Sequence, residues 1–574
     1  MSNHDLQHPL ADPDLLHLVL LQSGIDFDYD VQKPNSDRAN LRLLHTAAAK
    51  LLDGLCSSYT DVRRSGAKTL LIDPADVAKR AAAAIHRLGP LRKLHLEGLD
   101  DDALATILAA AGKASRRASI VDNRVHALET LCLPRGHFSG SCLYTCDPRL
   151  NDALPGRSPI VGDMGSSAAR TRLLPRLLEL DLGGCGQLTD AGLEALTSEA
   201  PLLAKLRLTV NSRLIKPKLS IPWLRSATLA ICANLSDEAV EALCQGAPLL
   251  RELSLWRCSS LVSPRIKSPY LETLNLCECA DLQDGTLRSL PSLTRLSSLL
   301  LAGCDHLQGE TAHWGGTQSL TTLDVSDMPT TSDAQLTAAC AASPHLRRLD
   351  FSRSGPAVQS PVVGGPSLQQ LLATRCEGLV DEAVSTACSR SPNLTTLMLA
   401  LCSSLHTPRI HGDKLQELNL SGCPLLSDSA VTHACEHSPN LSKLTLSLCA
   451  ALNEPNVKGP RLKRVELSHA EKLSKPLVGG PSLEELSLSG CAHLEDTAVE
   501  YTCKNSPKLK KLSISGCTKL HDAVLESPNL NVLNCHSVAR EVVDMAADRL
   551  RCPVLYQIRN DAYPGDADGF AEVD

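Results

Sequence analysis

The chain has 574 residues, 57 basic against 64 acidic side chains, and a formal charge of −7. That length holds three or four ordinary domains or one long repeat array, and 43% hydrophobic residues give it a sizeable core, which excludes global disorder. No apolar run approaches the roughly 20 residues of a membrane helix, no basic, cleavable leader opens the chain, and the mild negative balance argues against nucleic acid as the main partner.

In chain order, residues 1–85 carry apolar helical stretches around Asp14–Leu21, Asn40–Leu55 and Pro74–Leu88, the first two separated by an acidic insert, Asp26–Asp37. They read as a small helical N-terminal region. Two loose units of the form Leu-x-x-Leu-x-Leu start at Leu91 and Leu128. Residues 134–170 then break the rhythm with Gly, Ser and Pro and read as an inserted loop.

From Leu177 the units become regular. They begin at Leu177, Leu203, Leu224, Leu250, Leu271, Leu296, Leu320, Leu346, Leu368, Leu394, Leu415, Leu441, Leu462, Leu483, Leu509 and Leu530. Steps of 24–26 residues mostly alternate with steps of 21 or 22, apart from three long steps in a row from Leu271 to Leu346 and one doubled short step at Leu462. Within each unit leucines alternate with polar residues, the period of a half-buried strand. With the next strand so close, consecutive strands must stack in parallel, about 4.8 Å apart. No unit can bury its leucines alone. The fold class is therefore α/β: a leucine-rich-repeat solenoid, or horseshoe, with a parallel inner sheet, spanning residues 86–538. Residues 539–574 follow as a capping helix (VAREVVDMAADRL begins at Val538) and a frayed acidic tail.

The 23 cysteines fall into this frame. Cys185, Cys232, Cys258, Cys279, Cys304, Cys376, Cys402, Cys423, Cys449, Cys491 and Cys517 share one position just after the strand, and Cys244, Cys340, Cys388, Cys435 and Cys503 a second, late in the long units. Regular burial of this kind, without a secretory leader, predicts thiols in a reducing cytoplasmic or nuclear setting rather than a disulfide framework. Long units carry a helix-start signal with an aspartate at a fixed place: Asp190, Asp237, Asp284, Asp333, Asp381, Asp428 and Asp496. The carboxylate is expected to cap the first helical turn. Short units carry Pro217, Pro264, Pro408, Pro455 and Pro476 and predict an extended return, except that HDAVLE after Leu509 reads as a helical turn.

Catalytic signatures are missing: no P-loop, HExxH, EF-hand loop or GxSxG occurs. Cys142 and Cys146, with His137 and His126, lack the spacing of four converging metal ligands, and a loop with thiols is the plainer reading. The basic run Lys504, Lys508, Lys510, Lys511 and Lys519 could dock a phosphate or acidic peptide, but reads first as a solvated face. No cofactor and no metal are expected, and the chain reads as a non-enzyme. What remains is the concave sheet face, where Arg207, Trp256, Asn275, Leu300, Leu372 and Met398 stand out from a floor of Ser, Thr and Asn. They are the candidate partner-binding residues. Trp256 is either an anchor for a partner or packed along its own turn or against the insert at 134–170, and Leu300, Leu372 and Met398 would extend an apolar patch.

Segments such as KLQELNLSGCPLLSDSAVTHACEHSPNL (Lys414–Leu441) and SLEELSLSGCAHLEDTAVEYTCKNSPKL (Ser482–Leu509) resemble the cysteine-containing leucine-rich repeats of F-box proteins, especially the plant and green-algal types. PLADPDLLHLVLL (Pro9–Leu21) and ANLRLLHTAAAKLLDGL (Ala39–Leu55) resemble the helices of the F-box itself. The resemblance implies a substrate-recognition subunit of a Skp1–cullin–F-box ubiquitin ligase. Leu15, Leu16, Leu18, Leu41, Leu43 and Leu44 would meet a Skp1-type adaptor, and the concave face would capture an unknown protein substrate. The segment departs from the family pattern: the Leu-Pro start is missing, His45-Thr46-Ala47-Ala48 replaces the Cys-Arg-x-Trp segment, and the acidic insert interrupts the motif. The alternative is a non-catalytic scaffold or regulatory binding protein whose N-terminus only caps the array.

Overall fold

The structure is a computed structural model that describes residues 174–307, 318–525 and 527–539 without a break, together with isolated positions among residues 25–138 and after 540. The F-box-like segments, Cys142, Cys146, His126, His137 and nearly all of the C-terminal helix expected from Val538 lie outside the described residues. The chain divides into two compact units, residues 1–281 and 282–574.

In the first unit the strands are β1 (Ile25–Asp26), β2 (Lys93–Leu96), β3 (Thr130–Cys132), β4 (Glu179–Asp181), β5 (Lys205–Arg207), β6 (Ser226–Thr228), β7 (Glu252–Ser254) and β8 (Thr273–Asn275). From β2 to β8 each strand pairs in parallel with the next, in register by position within the repeat. β1, within the stretch read as helix and acidic insert, pairs antiparallel with β2 and covers its open edge. Helices α1 (Asp190–Ser198) and α2 (Asp237–Gly246) follow the long turns.

The second unit continues the pattern with β9 (Ser298–Leu300), β10 (Thr322–Asp324), β11 (Arg348–Asp350), β12 (Gln370–Leu372), β13 (Thr396–Met398), β14 (Glu417–Asn419), β15 (Lys443–Thr445), β16 (Asn456–Lys458), β17 (Arg464–Glu466), β18 (Leu477–Gly479), β19 (Glu485–Ser487), β20 (Lys511–Ser513), β21 (Val532–Asn534), β22 (Val554–Tyr556) and β23 (Ala571–Val573). Among the described residues, its helices with full bounds are α3 (Asp333–Ala342), α4 (Asp381–Arg390), α5 (Asp428–Glu436) and α6 (Asp496–Asn505). β16 and β18 stand apart as a small parallel sheet. They are the extended returns of the two consecutive short turns, and with no helix between them they pair with each other. β23, in the tail expected to fray, instead pairs antiparallel with β22.

Counting the first leucine of each unit as position 0, positions 0, +3 and +5 point inward. Leu250, Leu253 and Leu255, for example, are at most 1% exposed. Each buried leucine contributes about 2 kcal/mol. Past the strand, position +7 adopts the left-handed conformation in turn after turn: Val210 (φ 60°), Ile231 (φ 57°), Arg257 (φ 59°), Leu401 (φ 61°), Leu448 (φ 63°), or a glycine such as Gly422 (φ 69°). The twist aims the +7 amide at the +6 carbonyl of the next turn, as from Ile231 to Trp256 at 2.7 Å, and so extends the ladder beyond the strand.

Position +8 is the cysteine column. Ten of its thiols donate to the +5 carbonyl of the preceding turn, among them Cys258 to Leu229 at 2.8 Å, Cys402 to Ala373 at 3.0 Å, Cys449 to Leu420 and Cys517 to Leu488 at 3.1 Å. Burial pushes Cys232 and Cys279 up to about 11 and Cys423 up to about 12. At Asn211 an asparagine takes the column, its Nδ2 donating to Leu182 at 3.1 Å.

Three expectations are corrected. The column aspartates are not the caps. At three of them the preceding residue holds that role, with Thr189, Ser236 and Ser427 accepting from Gly192, Ala239 and Ala430, while Val380 and Glu495 precede α4 and α6 without a side-chain cap bond. Six of the seven, Asp190, Asp237, Asp333, Asp381, Asp428 and Asp496, instead reach the next, short turn and accept backbone amides there. Asp190 takes Ile215 and Lys216 at 2.9 and 2.8 Å, Asp381 takes His406 and Thr407 at 2.9 and 2.8 Å, and Asp428 takes Asn453 and Glu454 at 3.0 Å each. A short turn has no helix to occupy those amides, so the neighbouring carboxylate does. For the same reason HDAVLE is not helical. Its described residues are irregular, with His521 held by Asp496 at 3.0 Å and Val524 by Glu500 at 3.4 Å. The helix expected after Asp284 shrinks to a 3-10 turn, Leu287–Ser292, with Pro291 inside it.

Candidate binding surface

Of the six candidate residues on the sheet face, Arg207, Trp256 and Asn275 come together in the first unit. They border one recess of about 560 Å³. Its polar side is position +4 on successive strands, where Asp181, Arg207, Thr228, Ser254 and Asn275 stand in a row. Its floor is position +6: Gly183, Thr209 and Ala230, small side chains that stop at the indole of Trp256. Val210 and Ile231 at +7 form the apolar rim.

The recess exists because the floor is small. A Cβ at Gly183 would lie 2.5 Å from the Thr209 hydroxyl, so even alanine there displaces a side chain. Asp181 accepts the Gly183 amide at 3.0 Å and faces Arg207 at 3.7 Å. Trp256 is half-buried. Its Nε1 donates to Glu278 at 3.0 Å, and the Arg257 guanidinium, bound to the same carboxylate at 2.5 Å, lies 5.0 Å from the ring centroid. These bonds hold the Glu278 carboxyl below its ordinary range, Arg257 first and Trp256 second. The indole is thus fixed by its own and the following turn while it walls the recess. Val210 is 52% exposed. A β-branched side chain in the left-handed region costs roughly 1–2 kcal/mol, so the rim holds two apolar residues at an energetic disadvantage.

The other three candidates are only partly joined. Leu372 and Met398 are register partners on adjacent strands. Leu300 is separated from them by Asp324 and Asp350, which occupy the same row on the two strands between. The expected three-residue apolar patch is therefore a pair plus an isolated leucine. Burial raises the Asp350 carboxyl above its ordinary range, assisted by Asp324. Toward β21 the floor becomes a hydroxyl ladder, with Ser468 to Ser487 at 2.8 Å and Ser489 to Ser513 at 2.6 Å. The basic run is partly neutralised, because Lys510 and Lys511 pair with Glu484 and Glu485 at 2.8 and 3.0 Å.

Among the described residues, no group of three or more His, Cys, Asp or Glu could hold a metal ion, and no helix is long and apolar enough to cross a membrane. Stacked register, inward leucines and helices on the long turns define a leucine-rich-repeat interaction scaffold. A family model described as "Leucine Rich repeat" matches residues 175–196, and no curated protein matches the chain. Solved structures similar to it include the Rad7–Elc1 complex of yeast, at 14% identity and a TM-score of 0.31, covering 85% of this chain and 97% of that one. Others are a TLR13–ssRNA13 complex, at 15% and 0.39, covering 80% and 69%, and an internalin from Listeria monocytogenes, at 16% and 0.38, covering 66% and 90%. At such identities and scores the likeness concerns the repeat fold alone.

Proposed function

We propose that this protein is a non-catalytic receptor that captures a target protein in the recess of its first unit, as the substrate-recognition subunit of a Skp1–cullin–F-box ubiquitin ligase in the cytoplasm or nucleus. The observation that carries the capture role is the meeting of Arg207, Trp256 and Asn275 around one recess with an apolar rim and a polar wall. The fixed indole loses little freedom on binding, and Arg207 and Asp181 together offer a donor and an acceptor to a peptide backbone. The ligase role rests on the F-box-like sequence of Pro9–Leu21 and Ala39–Leu55, with Leu15, Leu16, Leu18, Leu41, Leu43 and Leu44 as the adaptor contacts.

The test is binding of a Skp1-type adaptor to the full chain and to a Leu15→Asp, Leu18→Asp variant. Tight binding lost in the variant supports a ligase receptor. An intact chain that does not bind the adaptor leaves the alternative, a scaffold without ligase association. For the recess, Trp256→Ala should weaken target capture at least tenfold, about 1.4 kcal/mol, with the melting temperature nearly unmoved. A large melting loss without selective loss of capture would make Trp256 structural.

A further inference from the structure

The end of α5 in the second unit carries a pair of side chains that the sheet face does not use. His433 and His437 stand four residues apart, the spacing that brings two side chains together on one side of a helix. Their imidazoles stack with centroids 4.0 Å apart and planes inclined by 28°. His433 is half-buried in the last turn, and His437 is the exposed C-cap residue.

Two imidazolium ions would repel each other at that distance, so the pair favours neutral rings. Burial first, then His437, His411 and Arg409, hold the His433 imidazole below its ordinary range, against an opposing pull from Glu436. A neutral imidazole is the form that binds metal. The tautomer of His437 is fixed as well. Its Nδ1 lies 2.9 Å from the His433 carbonyl oxygen. A carbonyl only accepts, so Nδ1 carries the proton and Nε2 keeps its lone pair. Donation of one ring N–H to a backbone carbonyl is the bond that orients metal-ligating histidines.

The surroundings suit a cation. The last carbonyls of a helix place partial negative charge at its C-terminal end. That end is braced from the preceding turn, where the Gly412 amide donates to the His437 carbonyl at 3.1 Å. The neighbouring His411 has the same tautomer, with Nδ1 3.2 Å from the Arg409 carbonyl, but its Nε2 lies 3.4 Å from the Ser389 hydroxyl. It does not complete a triad, since no group of three such side chains among the described residues could hold a metal ion. Two nitrogens bound to one metal at about 2.1 Å lie roughly 3 Å apart, and rings stacked at 4.0 Å are near that spacing.

We propose that His433 and His437 form a two-histidine site for a divalent transition-metal cation of the imidazole-seeking kind, Zn²⁺ or Ni²⁺, with water in the remaining positions. The bound cation clips the C-cap to the last turn of α5. Mg²⁺ and Ca²⁺ are excluded, because they take oxygen ligands. The site is independent of the capture and ligase readings.

The experiment is calorimetric titration of the reduced full chain with ZnCl₂, NiCl₂ and MgCl₂, beside the variants His433→Gln, His437→Gln and His411→Gln. Binding of Zn²⁺ and Ni²⁺ is expected to weaken at least tenfold in His433→Gln and in His437→Gln and to stay unchanged in His411→Gln, with no matching site for Mg²⁺. ZnCl₂ should also raise the melting temperature of the intact chain by more than that of His433→Gln. If His437→Gln melts early for want of its bond to the His433 carbonyl, His433→Gln decides, because it keeps the backbone contacts. Zn²⁺ and Ni²⁺ affinities that His433→Gln leaves unchanged overturn the proposal, as does Mg²⁺ binding of equal strength at the same residues.

Discussion

Raising the pH from 8 to 10 is the perturbation that most directly interrogates the cysteine column. Burial pushes Cys232, Cys279, Cys376 and Cys449 from an ordinary value of 9.0 up to about 11. Above pH 9 the unfolded chain has released these protons while the folded chain keeps them, so the unfolded state binds fewer protons and stability falls as pH rises. The stabilisation is fully present below pH 9 and is lost as pH climbs through 11. At pH 10 each thiol has cost the fold about 1.4 kcal/mol, so Cys376 and Cys449 together account for roughly 3 kcal/mol in the second unit. The assay is urea unfolding under reductant at pH 8, 9 and 10, for the intact chain and a Cys376→Ala, Cys449→Ala variant. The variant should start less stable and lose about 3 kcal/mol less over that interval. Lysines and tyrosines titrate alike in both proteins and drop out of the difference. If the two curves fall in parallel, these thiols are not neutral donors held by burial and the reasoning fails.

Other outcomes follow from the same frame. Asp428→Ala removes two charge-assisted acceptors from Asn453 and Glu454 and should cost about 2 kcal/mol by chemical unfolding; an unchanged midpoint would mean that water serves those amides equally well. Asn211 keeps one donor bond, but its Oδ1 is buried without a partner among the described residues. Asn211→Cys should therefore raise stability by about 1 kcal/mol, because a thiol makes the column bond and strands no acceptor. A lower melting temperature for Asn211→Cys would show that the asparagine carbonyl matters in its own right.

The repeat frame was legible because every residue that builds it recurs at a fixed step. Leu253 and Cys258 could be assigned to the interior by counting. The aspartates were located but misread. Asp428 sits one residue after a serine, where a cap is the local reading, while the amides it holds lie 25 and 26 residues onward and belong to a turn whose lack of a helix creates the need. Leu300 was grouped with Leu372 by type, although the repeat already placed Asp324 and Asp350 between them. The recess left a fainter trace. It depends on what Gly183 and Ala230 lack, and small residues at position +6 gain meaning only once they are seen to end at Trp256.

The aspartate clasp also changes what counts as one link of this chain. A long turn carries a carboxylate with nothing of its own to hold, and the short turn after it carries two amides with no acceptor of their own. Each is incomplete until joined. Wherever a long turn is followed by a short one, the indivisible module is then the couple, 47 residues in the step from Leu177 to Leu224, and not the single turn. Removing one turn would strand either an anion or a pair of donors, whereas excising a whole couple would close the frame cleanly. A protein built this way can lengthen or shorten by couples without redesigning a junction, and its sheet face can gain or lose two rows of side chains at a time.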